Sequence, residues 1–255
     1  MRHRPRILLV SCCCLALGAG GGAHAAAAAS AATPAAGDAP PVEEIKTLMC
    51  DRGKLLFQDD FPADTLGKNW GDAKSEGFSF EEQAMCVTAL PGVHPPMRFH
   101  GIAADDVIVQ VDLKLDGVDW LSLGWDSKQA PPPGHMERFS LRAQSWEDHR
   151  EGKLGTDRAK DTIDKMNTAI AVGSWHTLVW EIHGTERLAS LDKSKILYGN
   201  ADGIDIPKSS LWLETSSNPG KYAWFAHLKV WQATLKSDWE KKGKLQVLEY
   251  MKKRS

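Results

Sequence analysis

One stretch of the sequence, WEIHGTERL, contains two carboxylates and an imidazole at close spacing: Glu181, His183 and Glu186. Two carboxyl groups about 5 to 5.5 Å apart can cleave a glycosidic bond with retention, one as nucleophile and the other as acid. That separation would require the strand to continue through Glu186 with a bulge. Gly184 and Thr185 instead predict a turn that places Glu186 in the hairpin or in the next strand. Glu181 and His183 therefore stay only weak catalytic candidates, and a non-catalytic role is favoured.

The residues around Glu181 alternate in polarity. Leu178, Trp180 and Ile182 are apolar, whereas Glu181 and His183 occupy the positions between and after them. A period of two is typical of a strand with one buried face. We therefore expect Glu181 and His183 to project from a sheet as polar surface, where they could contact a ligand without chemistry.

The same period of two recurs along the chain and predicts an all-β protein. In Val107–Leu115 every odd position is apolar. Gly, Pro, Asn and Asp bound many such runs, as expected for an antiparallel sandwich or barrel. The other predicted strands are Leu55–Phe61, Ala84–Leu90, Met97–His100, Trp120–Trp125, Glu137–Ala143, Trp175–His183, Arg187–Leu191, Ser210–Glu214 and Tyr222–Trp231.

Two segments depart from this pattern. Residues 145–169 are dense in both charge signs, which predicts a solvated excursion or a short helix. Near the C-terminus, Ser237 and Glu240 have the spacing of a capping box and predict a helix. Gly243 should weaken that helix by about 1 kcal/mol relative to alanine. Its apolar positions at roughly helical spacing are Trp239, Leu245, Leu248 and Met251.

Tryptophans are a second candidate source of binding, because indole rings stack on sugar faces. Most of the ten tryptophans are expected to fill the core. Trp146, within the charged segment, is the hardest to explain in that way. The candidate ligand-binding residues are Trp120, Trp125, Trp146, Trp212, His183 and His227, and a binding site would require them to converge on one surface.

The N-terminus has the pattern of a secretory signal peptide. The basic MRHRPR precedes the apolar ILLVSCCCLALGAG, and a small-residue cleavage site follows Ala25. Residues 26–42 are mostly alanine and proline and are expected to form a flexible leader. The expected location is secreted or periplasmic; a lipoprotein modified at Cys12 is the minor alternative. The folded part is then a sandwich over residues 43–233 and a helical tail over 234–255.

Charge and hydropathy restrict the partners. Loss of residues 1–25 would change the formal net charge from −2 to −5. A mildly acidic chain without a basic stripe predicts no nucleic-acid partner. After the signal, no apolar run is long enough to predict a transmembrane span.

Cysteines and possible metal ligands give weaker expectations. Cys50 and Cys86 are the two cysteines outside the signal, and an exported chain favours a disulfide between them. Such a bond would stabilise the fold by about 4 kcal/mol. No histidine or cysteine spacing predicts zinc, and no cofactor motif is present. Asp59 and Asp60 are weak candidates for calcium.

Four segments carry a family resemblance: LLFQDDF, GSWHTLVWEIHG, LDKSKILYG and YAWFAHLKVW. They resemble bacterial secreted domains of the concanavalin A-like lectin/glucanase superfamily, in particular laminin-G-like and 3-keto-disaccharide hydrolase-like domains. The resemblance spans about Lys54–Gln232 and implies an antiparallel jelly-roll β-sandwich. The sequence departs from the hydrolase-like pattern at WLSLGWDSK, where relatives carry Asn-Ser-Gly. It also has Ala226-His227 where many relatives have an acidic residue that helps to hold calcium.

These observations lead to one principal functional hypothesis and two alternatives. The principal hypothesis is an exported, non-catalytic domain that binds carbohydrate or a cell-surface glycan. The first alternative is a sugar-processing hydrolase or lyase similar to the 3-keto-disaccharide hydrolases. The second is a structural envelope protein.

Overall fold

The computed structural model describes residues 43–62, 70–71, 77–81, 83–88, 97–129, 134–150, 153–154, 157–158, 161–216, 218 and 220–254. The predicted signal peptide and leader lie outside these ranges. The strands are β1 Cys50–Asp59, β2 Trp70–Gly71, β3 Phe78–Glu81, β4 Ala84–Thr88, β5 Met97–Ala104, β6 Val107–Asp116, β7 Trp120–Ser127, β8 Gly134–Arg142, β9 Ser145–Arg150, β10 Lys153–Leu154, β11 Asp157–Arg158, β12 Asp161–Met166, β13 Trp175–His183, β14 Glu186–Leu191, β15 Lys195–Asn200, β16 Lys208–Thr215 and β17 Tyr222–Leu235. A π-helical turn, Trp239–Gly243, leads into helix α1, Lys244–Arg254.

The strands form two antiparallel sheets, which confirms the predicted jelly-roll β-sandwich. The first sheet has the order β15-β14-β13-β6-β17-β4-β3, and β1 pairs with the C-terminal half of β17. The second has the order β12-β9-β8-β7-β16-β5-β2. Strands β10 and β11 form a separate short hairpin. In the described residues, no helix is long and apolar enough to cross a bilayer.

The main core lies between the two sheets and follows the predicted alternation. Val109, Val111 and Leu113 from β6 pack with the inward residues of β7, β8 and β13. Large aromatic side chains, including Trp125 and Trp180, fill this layer. Alternation along each strand therefore determines which side chains face the core.

The charged segment 145–169 is not a solvated excursion or a helix, because it contributes strands β9 and β12. Trp146 and Met166 face the core from these strands. Between them, Glu147 pairs with Lys165 at 3.5 Å on the other face of the sheet. Charges on one face and large apolar side chains on the other are compatible with edge strands of a sandwich.

Charged side chains are also enclosed between the sheets. Arg187 donates to Glu137, and neither side chain has any exposed surface. The adjacent Asp148 accepts a hydrogen bond from Trp180 Nε1 at 3.0 Å. Burial, reinforced by the negative charge of Glu137, raises the pKa of Asp148 to about 8. This cluster links β8, β9, β13 and β14 across the core.

The C-terminal helix is present, but its predicted cap and apolar face are partly wrong. The residue preceding the π-helical turn is Asp238, and no side chain caps that end. Trp239 is buried, whereas Leu245 and Leu248 are exposed. Gly243 lies against Trp239, where an added Cβ would approach the indole to 2.7 Å. Glycine is therefore required here by a close contact.

The predicted Cys50–Cys86 disulfide is wrong: both cysteines are free and buried. Cys50 is paired with Leu235 near the end of β17, whereas Cys86 is paired with Trp224 near its start. Positions this far apart on one strand are separated by about 30 Å. A disulfide requires Cα atoms within about 7 Å.

The enclosed Asp148 predicts a specific dependence of stability on pH. Its pKa is about 8 in the folded chain against an ordinary value of 3.8, so folding takes up a proton between these values. The stability linked to Asp148 is therefore fully present below pH 4 and is lost as pH rises towards 8. Asp148→Asn removes this titration and keeps an acceptor for Trp180. Urea unfolding should show the variant more stable than the parent by about 5 kcal/mol at pH 8, and equal to it near pH 4. Equal pH slopes for the two proteins would contradict this assignment.

Candidate functional site

Glu181 is fully buried, so the prediction that it forms polar surface is wrong. Its carboxylate accepts three backbone N–H groups, from Leu48 at 2.7 Å, Met49 at 2.9 Å and Cys50 at 2.6 Å. Burial raises the pKa of Glu181, and the three donors oppose that rise. The alternation correctly placed Glu181 outside the sandwich core, but the N-terminal segment covers it there.

Further contacts hold this N-terminal segment, residues 43–49, across the outward face of the first sheet. Gln110 Oε1 accepts Ile45 N at 3.0 Å and Arg52 Nη2 at 2.9 Å. Lys236 donates to the carbonyl of Thr47. A second apolar cluster beneath the segment and helix α1 includes Ile108, Val179, Leu188, Tyr198, Trp231, Trp239 and Val247. The N-terminal segment and helix α1 thus cover part of this outward face.

His183 and Glu186 do not form a catalytic pair with Glu181: His183 Nε2 lies 3.5 Å from Asp106 Oδ2, and Glu186 is buried against the C-terminal helix. The turn at Gly184-Thr185 is present as predicted, and Glu186 begins β14 opposite His183. Glu186 accepts from Tyr198, from Trp239 Nε1 at 3.0 Å and from Lys244 at 2.8 Å. Burial opposes ionisation of Glu186, but these donors outweigh it and lower its pKa. Glu186 therefore anchors the C-terminal helix.

His227 lies on the first sheet, away from the predicted tryptophans. It occupies a bulge of β17 with a backbone φ of 48°. Its Nδ1 is 2.8 Å from Asp112 Oδ2, and Thr177 donates to the other oxygen of Asp112 at 2.6 Å. A non-glycine residue in the left-handed region is strained, and this hydrogen bond helps to hold it there.

The calcium candidates are engaged in local hydrogen bonds. The two oxygens of Asp59 accept Phe61 N and Trp70 Nε1, each at 2.8 Å. Asp60 accepts from Gln58 at 2.8 Å. In the described part of the chain, no cluster of three or more His, Cys, Asp or Glu side chains could hold a metal.

Trp125 and Trp146 cannot stack on a ligand, since both are fully buried in the core. Their prediction as binding residues is therefore wrong. Trp120 is partly exposed at the start of β7. Trp212 is also buried, with 1% of its surface exposed, so its prediction as a stacking residue is wrong as well. It belongs to neither apolar cluster between or outside the sheets and lies on the outward face of the second sheet, which none of the predicted catalytic residues occupies.

The register of the second sheet places a row of polar side chains across this outward face. Glu214 pairs with Ser122, Ser122 with Ser140, and Ser140 with Glu147. The two serine hydroxyls are 2.8 Å apart. Both serines are buried, whereas the longer carboxylates on either side of them are partly exposed. We call this row, together with the residues beside it, the trough.

Trp212 forms one wall beside this row. It pairs with Gly124, and the indole covers the glycine so closely that an added Cβ would lie 2.1 Å from the ring. Gly124 pairs in turn with Arg138 on the next strand. Only glycine leaves room for the indole in this position, so Gly124 determines where Trp212 lies.

A carboxylate–imidazole pair closes one end of the trough. His135 Nδ1 is 2.6 Å from Asp126 Oδ1, and the His135 side chain is 46% exposed. The imidazole also meets Trp212 edge-on, with ring centroids 4.9 Å apart. Ser210 lies 3.5 Å from the second oxygen of Asp126.

This trough, formed by Ser122, Ser140, Glu147, Glu214, Trp212, Asp126 and His135, is the candidate site. Its partly exposed carboxylates and the exposed imidazole of His135 can exchange hydrogen bonds with the hydroxyl groups of a sugar. The Asp126–His135 pair can also accept or donate a proton. Apart from Trp212, sequence reasoning missed these residues, although the polar positions of WLSLGWDS, which alternate with buried Leu121 and Leu123, carried the signal.

Comparison with solved structures supports the fold. A Bacillus subtilis protein of unknown function with a galectin-like fold aligns at a TM-score of 0.57 and 12% identity, covering 74% of this chain and 100% of that one. The laminarinase catalytic domain from Thermotoga maritima MSB8 aligns at 0.54 and 10% identity, covering 72% and 100%. A laminarinase from Flavobacterium sp. UMI-01 aligns at 0.53 and 14% identity, covering 70% and 100%. No family model and no curated protein matches the sequence.

The buried carboxylate of Glu181 predicts a structural effect of mutation. Glu181→Gln replaces one acceptor oxygen with an N–H donor, which would face the backbone N–H groups of residues 48–50. We expect a loss of about 2 to 3 kcal/mol in the free energy of unfolding. Amide hydrogen exchange should also accelerate in Leu48, Met49 and Cys50.

The exposed Glu240→Gln is the matched control, because it makes the same chemical change in a solvated carboxylate. It should alter neither measurement. If Glu181→Gln unfolds like the parent and keeps these three amides protected, Glu181 does not anchor the segment.

Proposed function

We propose that this protein is an exported carbohydrate-binding domain that recognises a glycan at the trough of the second sheet, without catalysis. The observation that supports this most directly is the row from Glu214 through Ser122 and Ser140 to Glu147. Ser122 and Ser140 are buried within the row, and the partly exposed carboxylates on either side can accept hydrogen bonds from the hydroxyl groups of a sugar.

The covering of the other sheet supports the same choice. The N-terminal segment and helix α1 pack on part of the outward face of the first sheet. By contrast, the outward residues of the second sheet belong to none of the three apolar clusters of the described structure. A ligand at the trough would therefore not have to displace these terminal segments.

Binding to laminarin tests the proposal, because laminarinases are among the proteins that share this fold. We expect isothermal titration calorimetry to show binding by the parent. Glu214→Ala should weaken it by about tenfold, since it removes a charged hydrogen-bond acceptor from one wall of the trough. Glu240→Ala, on the exposed side of the π-helical turn, should bind like the parent. Equal affinities for the two variants would contradict binding at the trough.

A glycoside hydrolase is the second candidate, favoured by the exposed imidazole of His135 beside Asp126. This pair could transfer a proton to or from a bound sugar. Release of reducing sugar from laminarin should be measured on the same samples. Turnover by the parent that disappears in His135→Gln, with melting unchanged, would replace the non-catalytic proposal with this one.

A further inference from the structure

A second outward-facing patch lies on the first sheet, away from Glu181. The register places Trp175 beside Lys114 and Lys114 beside Trp224 on three neighbouring strands. Tyr222 lies two residues before Trp224 and packs on the same small cluster. We call Trp175, Lys114, Trp224 and Tyr222 the lysine–tryptophan patch.

The ammonium of Lys114 is held between two indole rings. Its Nζ lies 5.0 Å from the ring centroid of Trp175 and 4.5 Å from that of Trp224. The residue as a whole is only 6% exposed. Both distances lie within the range of about 6 Å that is typical of a cation–π contact.

Among the described residues, no carboxylate pairs with this ammonium. Throughout the described structure, Lys114 makes no hydrogen bond and no ion pair, and its nitrogen is not among the enclosed, unpartnered polar atoms. The neighbouring carboxylate of Asp112 is already held by Thr177 and His227. The ammonium of Lys114 is thus nearly buried between the indoles, but its nitrogen is not fully enclosed and its N–H donors have no described partner.

This combination selects the chemistry of a ligand. Trp175 and Tyr222 are partly exposed, whereas Trp224 is 6% exposed. Exposed aromatic rings favour the flat apolar face of a sugar. An unpaired ammonium between them favours an anionic group attached to that sugar, because a charge-assisted hydrogen bond is stronger than a neutral one. We propose that the lysine–tryptophan patch is a binding site for an acidic polysaccharide, whose carboxylate or sulfate group contacts Lys114.

The proposed acidic-sugar site is separate from the trough. Lys114 and Trp224 belong to the first sheet, whereas Ser122 and Trp212 belong to the second, and both pairs face away from the shared core. The proposal therefore does not rest on glycan binding at the trough. One chain would hold an acidic sugar on one side and another glycan segment on the other.

The test compares polygalacturonate, dextran sulfate and neutral dextran as probes of the full chain, with tryptophan fluorescence as the readout. The parent should bind at least one of the two acidic polymers and not neutral dextran. The polymer that binds identifies the anionic group as a carboxylate or a sulfate. Lys114→Met keeps an apolar stem between the indoles, so its melting temperature should stay close to that of the parent. Its affinity for the acidic polymer should fall by about tenfold or more.

Two control variants separate this site from general charge attraction. Lys241→Met removes one charge from the exposed π-helical turn and should bind like the parent. Lys114→Arg keeps a cation over the rings and should retain binding. Glu214→Ala, in the trough, should not weaken binding of the acidic polymer. Loss of binding at the trough can therefore be distinguished from loss of binding at the lysine–tryptophan patch.

Three results would overturn the proposal. The first is a parent protein that binds neither acidic polymer. The second is equal weakening by Lys114→Met and Lys241→Met. The third is full binding by Lys114→Met, which would mean that the lysine only fills space between the indoles.

Discussion

The carboxylate of Glu181 is the interaction on which the arrangement of the outer surfaces depends. A carboxylate with no exposed surface is tolerated only where donors replace its water. Here three consecutive backbone N–H groups of residues 48–50 do so. Because these donors belong to the chain itself, satisfying the carboxylate fixes the N-terminal segment on the first sheet. Glu186 does the same for the C-terminal helix through Tyr198, Trp239 and Lys244.

The core and the trough are connected by one irregularity in β8. Trp125 pairs with Glu137, but the next residue of β7, Asp126, pairs with His135, so Met136 is an extra residue. Met136 and Glu137 are both buried, and Glu137 accepts a hydrogen bond from Arg187 inside the sandwich. The same bulge turns His135 outward to Asp126. Bulges commonly redirect side chains in this way, so the interior ion pair and the exposed imidazole depend on the same backbone feature.

The sequence allowed the strands and their inward faces to be predicted, because alternation is a local property of each strand. It did not reveal what covers an outward face. Alternation correctly placed Glu181 and Trp180 on opposite faces of the sheet. The burial of Glu181, however, depends on a segment about 130 positions earlier in the chain. Strands β9 and β12 were not predicted, because they contain few apolar residues and their charged residues, such as Glu147 and Lys165, hide the alternation. The trough could not be predicted, because it depends on the register between neighbouring strands, which brings Ser122 beside Ser140 and Glu214.

The central claim has two parts. The N-terminal segment and helix α1 cover part of the outward face of the first sheet, and the ligand that we propose binds at the trough of the second sheet. Chemical-shift mapping of the isotopically labelled full chain, titrated with laminarin oligosaccharides, tests this claim most directly. We expect the perturbed amides to cluster around Ser122, Ser140 and Trp212. Perturbations centred on residues 43–50 and Glu181, with none in the trough, would contradict it.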